Sequence, residues 1–148
     1  MRVTMTLEDV VNSKVRGGVT TIDAKETMRT VVRTMAHNNF GALIVTSDGV
    51  PSGIVTERDV LRQVAEGPEF LDRPVSEVMT RDIVVGTLGD DVEAAKRTMT
   101  ERRFRHMPIV HEGRLIAIVS IGDLVRSQLT VTQAETRFLR DYISGSYP

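Results

Sequence analysis

RTMAHNNFGALIVTSDGVPSGIVTERDVLR, residues 33–62, and RTMTERRFRHMPIVHEGRLIAIVSIGDLVR, residues 97–126, align with each other without a gap. An internal repeat of this kind has to be recognised before any single motif, because it sets the architecture of the whole chain. Nine positions are identical in the two copies: Arg33/Arg97, Thr34/Thr98, Met35/Met99, Phe40/Phe104, Gly49/Gly113, Ile54/Ile118, Val55/Val119, Asp59/Asp123 and Arg62/Arg126. The sequence therefore predicts two structurally equivalent repeats, 64 residues apart.

Each repeat predicts the same order of elements. A short β-branched strand comes first, at VTTI (19–22) and at DIVVG (82–86), and a helix with apolar residues at helical spacing follows it. Next comes a hairpin, whose turn residues suit a tight reversal. A second helix closes the repeat, and we expect a short acidic side chain to cap its first turn. The turn and cap residues are Asp48, Gly49 and Asp59 in the first copy, and Glu112, Gly113 and Asp123 in the second.

The segments around the repeats predict how the chain is divided. EGPEFLDRP, residues 66–74, has glycine, two prolines and charges, which is typical of a linker. We therefore expect a first repeat with the N-terminal segment at 1–65, the linker and second repeat at 66–130, and a helix or tail at 131–148. One repeat alone leaves an apolar sheet face exposed, so the two sheets are expected to pack into one core.

Composition narrows the class of protein. With 148 residues, 41% of them hydrophobic and 26% charged, the chain has the composition of a globular domain. A formal net charge of -1 does not favour a polyanion such as DNA as partner, and the absence of cysteine excludes disulfides and thiolate zinc sites. The apolar runs are too short for a membrane span and the N-terminus lacks signal-peptide features, so we expect a cytoplasmic protein.

The order strand, helix, hairpin, GIVTERD (53–59) and helix resembles the CBS domain, named after cystathionine β-synthase. RHMPIV at 105–110 and EVMTRDIVV at 77–85 carry the same resemblance, which covers almost the whole chain. It implies a mixed α/β (α+β) fold in which two βαββα repeats pack sheet to sheet as one CBS-pair, or Bateman, module. It further implies a regulatory protein that is not an enzyme and needs no cofactor.

The resemblance also implies a class of ligand. Proteins of this family bind AMP, ADP, ATP, S-adenosylmethionine or NAD-type ligands in two clefts between paired repeats. The residues are suited to such ligands, since an aspartate at the start of a helix can accept hydrogen bonds from both ribose hydroxyls. A hydroxyl three residues earlier lies at the helix N-terminus, where a phosphate is favoured. The resemblance therefore predicts two composite sites, one for each of Asp59 and Asp123.

The two predicted sites differ in charge. In the first, two arginines and a histidine are available for phosphate, and we favour this site for a nucleotide. In the second, Gly122 stands in the position of Arg58 and Gly41 in that of Arg105, so a monophosphate, a nucleoside or an empty site all remain open. The first site comprises Thr56, Arg58, Asp59, Thr80, Ile83, Arg105, His106 and Pro108. The second comprises Ser120, Asp123, Lys14, Val19, Phe40, Gly41 and Ala42.

The same residues also allow functions other than a nucleotide sensor. The two aspartates are also suited to be helix caps alone, and a structural homodimer without a ligand, or a nucleic-acid-binding module, are the alternatives. No nucleophile elbow, Walker loop or dinucleotide fingerprint occurs, and the histidines lack the spacing of a metal site. By resemblance we expect a homodimer that signals to another, unidentified protein. The segment from Thr132 predicts an extra helix that seals this dimer or packs on its own chain.

Overall fold

The computed structural model of the chain describes residues 4–14 and 20–144. These residues divide into two units. We call residues 20–85 the middle unit, and residues 4–14 together with 86–144 the terminal unit. Each unit contains one of the two sequence repeats, and the terminal unit also contains the N-terminal segment.

The middle unit has a three-stranded sheet in the order β1-β2-β3. Strand β1 is parallel to β2, and β3 is antiparallel to β2. Helix α2 connects β1 to β2, and α3 follows β3 directly. Two short 3₁₀ helices, Pro68–Asp72 and Val75–Glu77, follow α3. The bounds are β1 Thr21–Asp23, α2 Met28–Asn38, β2 Ala42–Ser47, β3 Val50–Thr56 and α3 Glu57–Glu66.

The terminal unit repeats this arrangement with a smaller sheet. Strands β4 and β5 form an antiparallel pair, which α4 precedes and α5 follows. Helix α1 comes from the N-terminal segment and contacts both α5 and β5. The bounds are α1 Leu7–Ser13, α4 Val92–Arg102, β4 His106–His111, β5 Arg114–Ser120 and α5 Ile121–Ser144.

Both hairpins turn in the way the sequence predicts. Asp48 and Gly49 have φ of 52° and 79°, and Glu112 and Gly113 have φ of 51° and 76°. Two successive residues with positive φ form the tight turn that matches the twist of antiparallel strands. Glycine supplies the second of these conformations without steric cost. The two hairpins and the helices that precede them confirm the repeat prediction.

The apolar residues that the repeats share form the core of each unit. In the middle unit Met28, Val31 and Met35 of α2 pack with alternate residues of the sheet and with Phe70, Val75 and Met79. The terminal unit buries the residues 64 positions later on α4 and its two strands, and α1 adds Leu7 and Val10, both fully buried. These terminal-unit residues are Val92, Ala95, Met99, Met107, Ile109 and Val119.

In each unit, the segment that leads into the first strand of one repeat packs against the other repeat and completes its core. We call this stretch of chain the entry segment. In the terminal unit the Leu7 N–H donates to the Asp90 carbonyl (2.9 Å), and the Val92 N–H donates to Met5 (2.9 Å). In the middle unit the Val75 N–H donates to Glu26 (2.8 Å), and the Met28 N–H donates to Arg73 (2.8 Å). The same two hydrogen bonds therefore attach an entry segment to the first helix of each repeat.

One prediction about the segments between the repeats is wrong, and a second needs an addition. Of the predicted strand at 82–86, only Gly86 forms a β-bridge, with Ile109, because the chain before it pairs at Thr80 with Ile54. The predicted linker at 66–74 joins the two repeats and is also a packed part of the middle unit, since its 3₁₀ helix buries the Phe70 side chain to 7% exposure. An apolar residue within a stretch of Gly, Pro and charges was the signal for this packing.

The two ends of the chain also lie elsewhere than a division in sequence order would place them. The N-terminal segment, grouped with the first repeat by sequence, lies in the terminal unit with the second repeat. The predicted extra helix from Thr132 is continuous with the helix of the second repeat, so that α5 is a single helix of 24 residues. The division at 1–65, 66–130 and 131–148 stays a prediction about sequence domains.

Candidate functional site

The first candidate group lies where β3 passes into α3 in the middle unit. Thr56 is the N-cap of α3, and Asp59 is the third residue of the helix. The Asp59 Oδ2 accepts hydrogen bonds from the Thr56 N–H (2.8 Å) and the Thr56 hydroxyl (3.1 Å). Asp59 was predicted to cap the helix, and this is corrected: the cap is Thr56, and Asp59 is its partner in a capping box.

One oxygen of Asp59 remains available for a ligand. Within residues 4–14 and 20–144, both hydrogen bonds to this carboxylate end on Oδ2. The Thr56 backbone and hydroxyl thus fix the orientation of the carboxylate through one oxygen. A carboxylate oxygen has two lone pairs, so Oδ1 has the capacity to accept hydroxyl hydrogens from a bound molecule.

The second candidate group lies at the same position of the terminal unit, where β5 passes into α5. The Ser120 N–H donates to Asp123 Oδ2 (2.8 Å), and the Asp123 N–H donates to the Ser120 hydroxyl (3.1 Å). These reciprocal bonds form a capping box, so Asp123 too is a box partner and not the cap. The local backbone therefore repeats that of Thr56 and Asp59.

Two cationic side chains contact the Asp123 carboxylate, and this distinguishes the second group from the first. The Lys14 ammonium lies 3.1 Å from Asp123 Oδ2 and donates to the Ile118 carbonyl at 2.5 Å. The Arg126 guanidinium donates to Asp123 Oδ1 at 2.8 Å. Partial burial raises the pKa of Asp123, but the Ser120 N–H, Lys14 and Arg126 together outweigh it and hold this pKa below its ordinary value.

The capping box by itself does not mark a ligand site. Thr6 and Asp9 form the same box on α1, with the Thr6 N–H 2.9 Å and the Thr6 hydroxyl 3.2 Å from Asp9 Oδ2. Asp9 is exposed and lies outside the aligned repeats. What distinguishes Asp59 and Asp123 is their repeated position between the last strand and the closing helix.

The start of the second repeat strand lies beside this position within each unit. Ala42 pairs with Thr56, and the Gly41 carbonyl accepts the Glu57 N–H (3.1 Å). His106 pairs with Ser120 in the same way, and the Arg105 carbonyl accepts the Ile121 N–H (2.9 Å). The side chain of Arg105 is exposed, whereas Gly41 has none. Only the terminal unit therefore has a cation at this strand start.

The remaining predicted residues are placed as follows. Thr80 forms two backbone hydrogen bonds with Ile54, each 2.9 Å, at the edge of β3. Arg58 is exposed on the first turn of α3, and Ile83 is half-buried. Phe40 packs against the core of the middle unit, and Pro108 is buried in β4. Val19 lies outside the described residues.

The structure brings Lys14, Ser120 and Asp123 together in the terminal unit, as three of the residues predicted for the second site. The first group has Thr56, Arg58, Asp59, Thr80 and Ile83 in the middle unit, whereas Arg105, His106 and Pro108 belong to the terminal unit. The grouping of residues from both repeats into one cleft stays a prediction. So does the assignment of each residue to a ligand.

Sequence reasoning missed Arg126 and Gly53. Arg126 was visible as an identical repeat position three residues after Asp123, a spacing at which opposite charges meet on a helix. Gly53 lies next to the β-bridge between Ile54 and Thr80. A Cβ on Gly53 would come 2.6 Å from Met79 Sδ and 2.8 Å from the Thr80 carbonyl oxygen. Nothing in the local sequence distinguishes this glycine from one in an ordinary strand.

The described residues lack two features that bear on function. No group of three or more His, Cys, Asp or Glu side chains in this part of the chain is placed to hold a metal ion. In the same residues no helix is both long and apolar enough to cross a membrane.

The protein has two small sheets. Each sheet is enclosed by the helices of its own repeat and by an entry segment that precedes the other repeat, which defines a tandem-repeat α/β protein. The family model described as the CBS domain matches residues 7–66 and again residues 75–130. These two matches cover well over half of the chain, and the chain belongs to the CBS domain family. The resemblance stated from GIVTERD and RHMPIV is thereby confirmed.

Known proteins agree with this assignment. The chain is 33% identical to the CBS domain-containing protein CBSX3, mitochondrial, of Arabidopsis thaliana, over 96% of this chain and 73% of that protein. A CBS-domain containing protein from Agrobacterium tumefaciens, solved by crystallography, matches with a TM-score of 0.78 and 34% identity, covering 83% of this chain and 92% of that one.

A further solved structure contains ligands. The CBS domain pair of protein MJ0100, in complex with 5′-methylthioadenosine and S-adenosyl-L-methionine, matches with a TM-score of 0.73. It covers 84% of this chain and 95% of that chain. Because its identity is 20%, this likeness shows the fold alone.

Proposed function

We propose that this chain is a regulatory module that binds an adenosine-type ligand and signals its presence to another protein. The ligand class comprises AMP, ADP, ATP, NAD(H) and S-adenosylmethionine. CBS-pair proteins are generally regulatory and not catalytic, which agrees with a chain that supplies a binding carboxylate and no recognisable nucleophile. The proposal needs no resident cofactor.

The observation that carries the proposal is the carboxylate of Asp59. It is held by Thr56 through Oδ2 alone, and Oδ1 accepts no hydrogen bond from the described residues. A vicinal diol offers two hydroxyl donors side by side, and a carboxylate accepts such a pair well. Asp59 is thus oriented for ribose before a ligand arrives, which reduces the entropy lost on binding.

The surroundings of Asp59 favour a ligand that also has phosphate. Thr56 begins a helix of ten residues, whose first N–H groups and dipole favour negative charge. Arg58 is exposed on the same turn and adds a cation. The ligands bound to the MJ0100 domain pair are both adenosine compounds without phosphate, so they support the adenosine part of the proposed ligand and not the phosphate.

Regulation requires the ligand to prefer one conformation of the module over another, because only a difference in affinity shifts a population. The chain offers a surface through which such a shift can reach a second chain. Leu61 and Val64 of α3 are 70% and 55% exposed, and Val125 and Leu129 of α5 are 40% and 54% exposed. Since Leu61 and Val125 are equivalent repeat positions, we assign these two helix faces to a homodimer contact.

The decisive test is calorimetric titration of AMP, ADP, ATP, NADH and S-adenosylmethionine into the wild type and into Asp59→Asn. We expect one of these ligands to bind saturably and Asp59→Asn to weaken it by about tenfold or more, the worth of a charge-assisted hydrogen bond. Asp9→Asn is the matched control, because it makes the same change in a capping box at an exposed position outside the repeats.

Failure to bind any ligand of this panel, in protein shown to be folded and ligand-free, would favour the structural homodimer instead. Salt-sensitive binding of RNA or DNA would favour the nucleic-acid alternative. A cytoplasmic location belongs to the same proposal, and fractionation of cells tests it, since the relative from Arabidopsis thaliana is named as mitochondrial.

A further inference from the structure

Asp59 and Asp123 differ in the groups that contact their carboxylates. Asp123 is bonded through Oδ2 to the Ser120 N–H and the Lys14 ammonium, and through Oδ1 to the Arg126 guanidinium. Among the residues that the structure describes, Asp59 has hydrogen bonds from Thr56 alone. Arg62, in the repeat position of Arg126, forms no ion pair with any described residue. The difference between the repeats is therefore in the contacts, although the aspartate itself is the same.

Lys14 contacts Asp123 in a partly sheltered place. The side chains of Lys14 and Asp123 are 29% and 15% exposed, so water screens their attraction less than that of a surface pair. The Lys14 ammonium also donates to the Ile118 carbonyl, which fixes it from a second side. Arg126, by contrast, has a side chain that is 74% exposed and moves away at little cost.

We propose that Lys14 competes with the ligand for Asp123, so that the chain binds a vicinal-diol ligand through Asp59 alone while Lys14 is in place. This inference rests on the proposed function and adds a rule about which repeat is occupied. A neutral hydroxyl pair has to replace an ammonium group on Oδ2, and only the ammonium adds the attraction of opposite full charges to its hydrogen bond. It also has to separate the Lys14 ammonium from the Ile118 carbonyl.

The competition has a source in the fold. Lys14 directly follows α1, and α1 is held in the terminal unit by Leu7, Val10 and the hydrogen bonds to Asp90 and Leu88. The entry segment that completes this unit therefore also delivers the competing ammonium. In the middle unit the corresponding entry segment pairs with Ile54 through the Thr80 backbone. Among the described residues, the contacts of the Asp59 carboxylate come from Thr56 and not from a lysine.

The test is the stoichiometry of AMP binding, measured by calorimetry in five proteins: the wild type, Lys14→Met, Asp59→Asn, the double variant Asp59→Asn with Lys14→Met, and Lys25→Met. Lys25 is an exposed lysine of the middle unit, so its variant controls for the loss of one charge. 2′-Deoxy-AMP, which lacks one hydroxyl of the diol, controls for recognition of the ribose. Circular dichroism and the unfolding midpoint establish that each variant is folded, and Lys14→Gln replaces Lys14→Met if the latter is not.

We expect one AMP for each wild-type chain, two for Lys14→Met, none for Asp59→Asn and one for the double variant. The affinity of the terminal unit in the Lys14 variants should rise by about tenfold or more over the wild type. Lys25→Met should behave as the wild type.

Other results overturn the inference. Two equal sites in the wild type, or a double variant that stays unable to bind while Lys14→Met still binds one AMP, show that Lys14 does not block Asp123. Weaker binding in Lys14→Met makes Lys14 a ligand contact instead of a competitor. If neither the wild type nor Lys14→Met binds AMP or any other ligand of the panel, the proposed function fails and this inference fails with it.

Discussion

Gly86 lies against Leu7 so closely that a Cβ on Gly86 would come within 2.8 Å of Leu7 Cδ1. The same Cβ would lie 2.8 Å from Met107 Sδ and 3.1 Å from Ile109 Cδ1. Gly86 takes the repeat position of Ile22, whose side chain fills the core of the middle unit. The terminal unit uses this space for Leu7, whereas the middle unit packs Ile22 together with the smaller Val75.

Gly86→Ala should therefore destabilise the protein. The added methyl group overpacks the contact between Leu7, Met107 and the sheet, and overpacking of a filled core costs about 1–3 kcal/mol. The free energy of unfolding from urea titration measures this cost. Gly89→Ala is the matched control, because nothing lies within 4 Å of a Cβ at Gly89. Equal stability of the two variants would show that α1 is not packed against Gly86.

The left-handed residues that end α2 and α4 give a second test. Asn39 and Arg103 follow these helices at equivalent repeat positions, with φ of 57° and 59°. Asn tolerates this conformation, whereas a long side chain such as that of Arg adopts it at a cost. Arg103→Asn should stabilise the protein by about 0.5–1 kcal/mol, and Asn39→Arg should destabilise it by a similar amount. Thermal unfolding measures the stability of both variants. Stability changes of the same sign in the two variants would contradict this prediction.

The sequence predicts most of the elements of each repeat because their signals are local. The hairpins follow from Asp48-Gly49 and Glu112-Gly113, and the helices follow from apolar residues at helical spacing. The exchanged entry segments could not be predicted, since Leu7 and Val75 donate hydrogen bonds to residues distant in sequence, Asp90 and Glu26. Local periodicity contains no information about such pairings.

The candidate site was predictable in part for the same reason. Asp59 and Asp123 were found through the repeat and the family resemblance, but their role as capping-box partners depends on where the helix begins. A shift of the helix start by a residue or more is common in sequence-based assignment. The contact between Lys14 and Asp123 joins residues far apart in the chain, so only the folded structure shows that Lys14 occupies the carboxylate.

The Asp123 ion pairs predict a pH dependence of stability. Because the pKa of Asp123 is lowered on folding, its contribution is fully present above the unfolded pKa of about 3.9 and is lost as the pH falls through the folded pKa. Asp123→Asn should be less stable than the wild type at neutral pH, and the difference should shrink as the solution is acidified below the unfolded pKa. Urea titrations over this range measure it. A difference that grows in acid would mean that burial dominates and raises the pKa.

The exposed apolar faces of α3 and α5 predict how the chain associates. Leu61 and Leu129 are 70% and 54% exposed, and burying such side chains against a second copy yields roughly 25 cal/mol for each Å² of apolar surface. Leu61→Lys and Leu129→Lys place charges in that contact, so each should shift a dimer toward monomer in light scattering after size-exclusion chromatography. Val50→Lys is the matched control, because Val50 is 63% exposed but belongs to the hairpin, at the start of β3, and not to α3 or α5. A wild type that is monomeric at all concentrations, or a dimer that Val50→Lys weakens as much as the helix variants do, would remove α3 and α5 as the dimer contact.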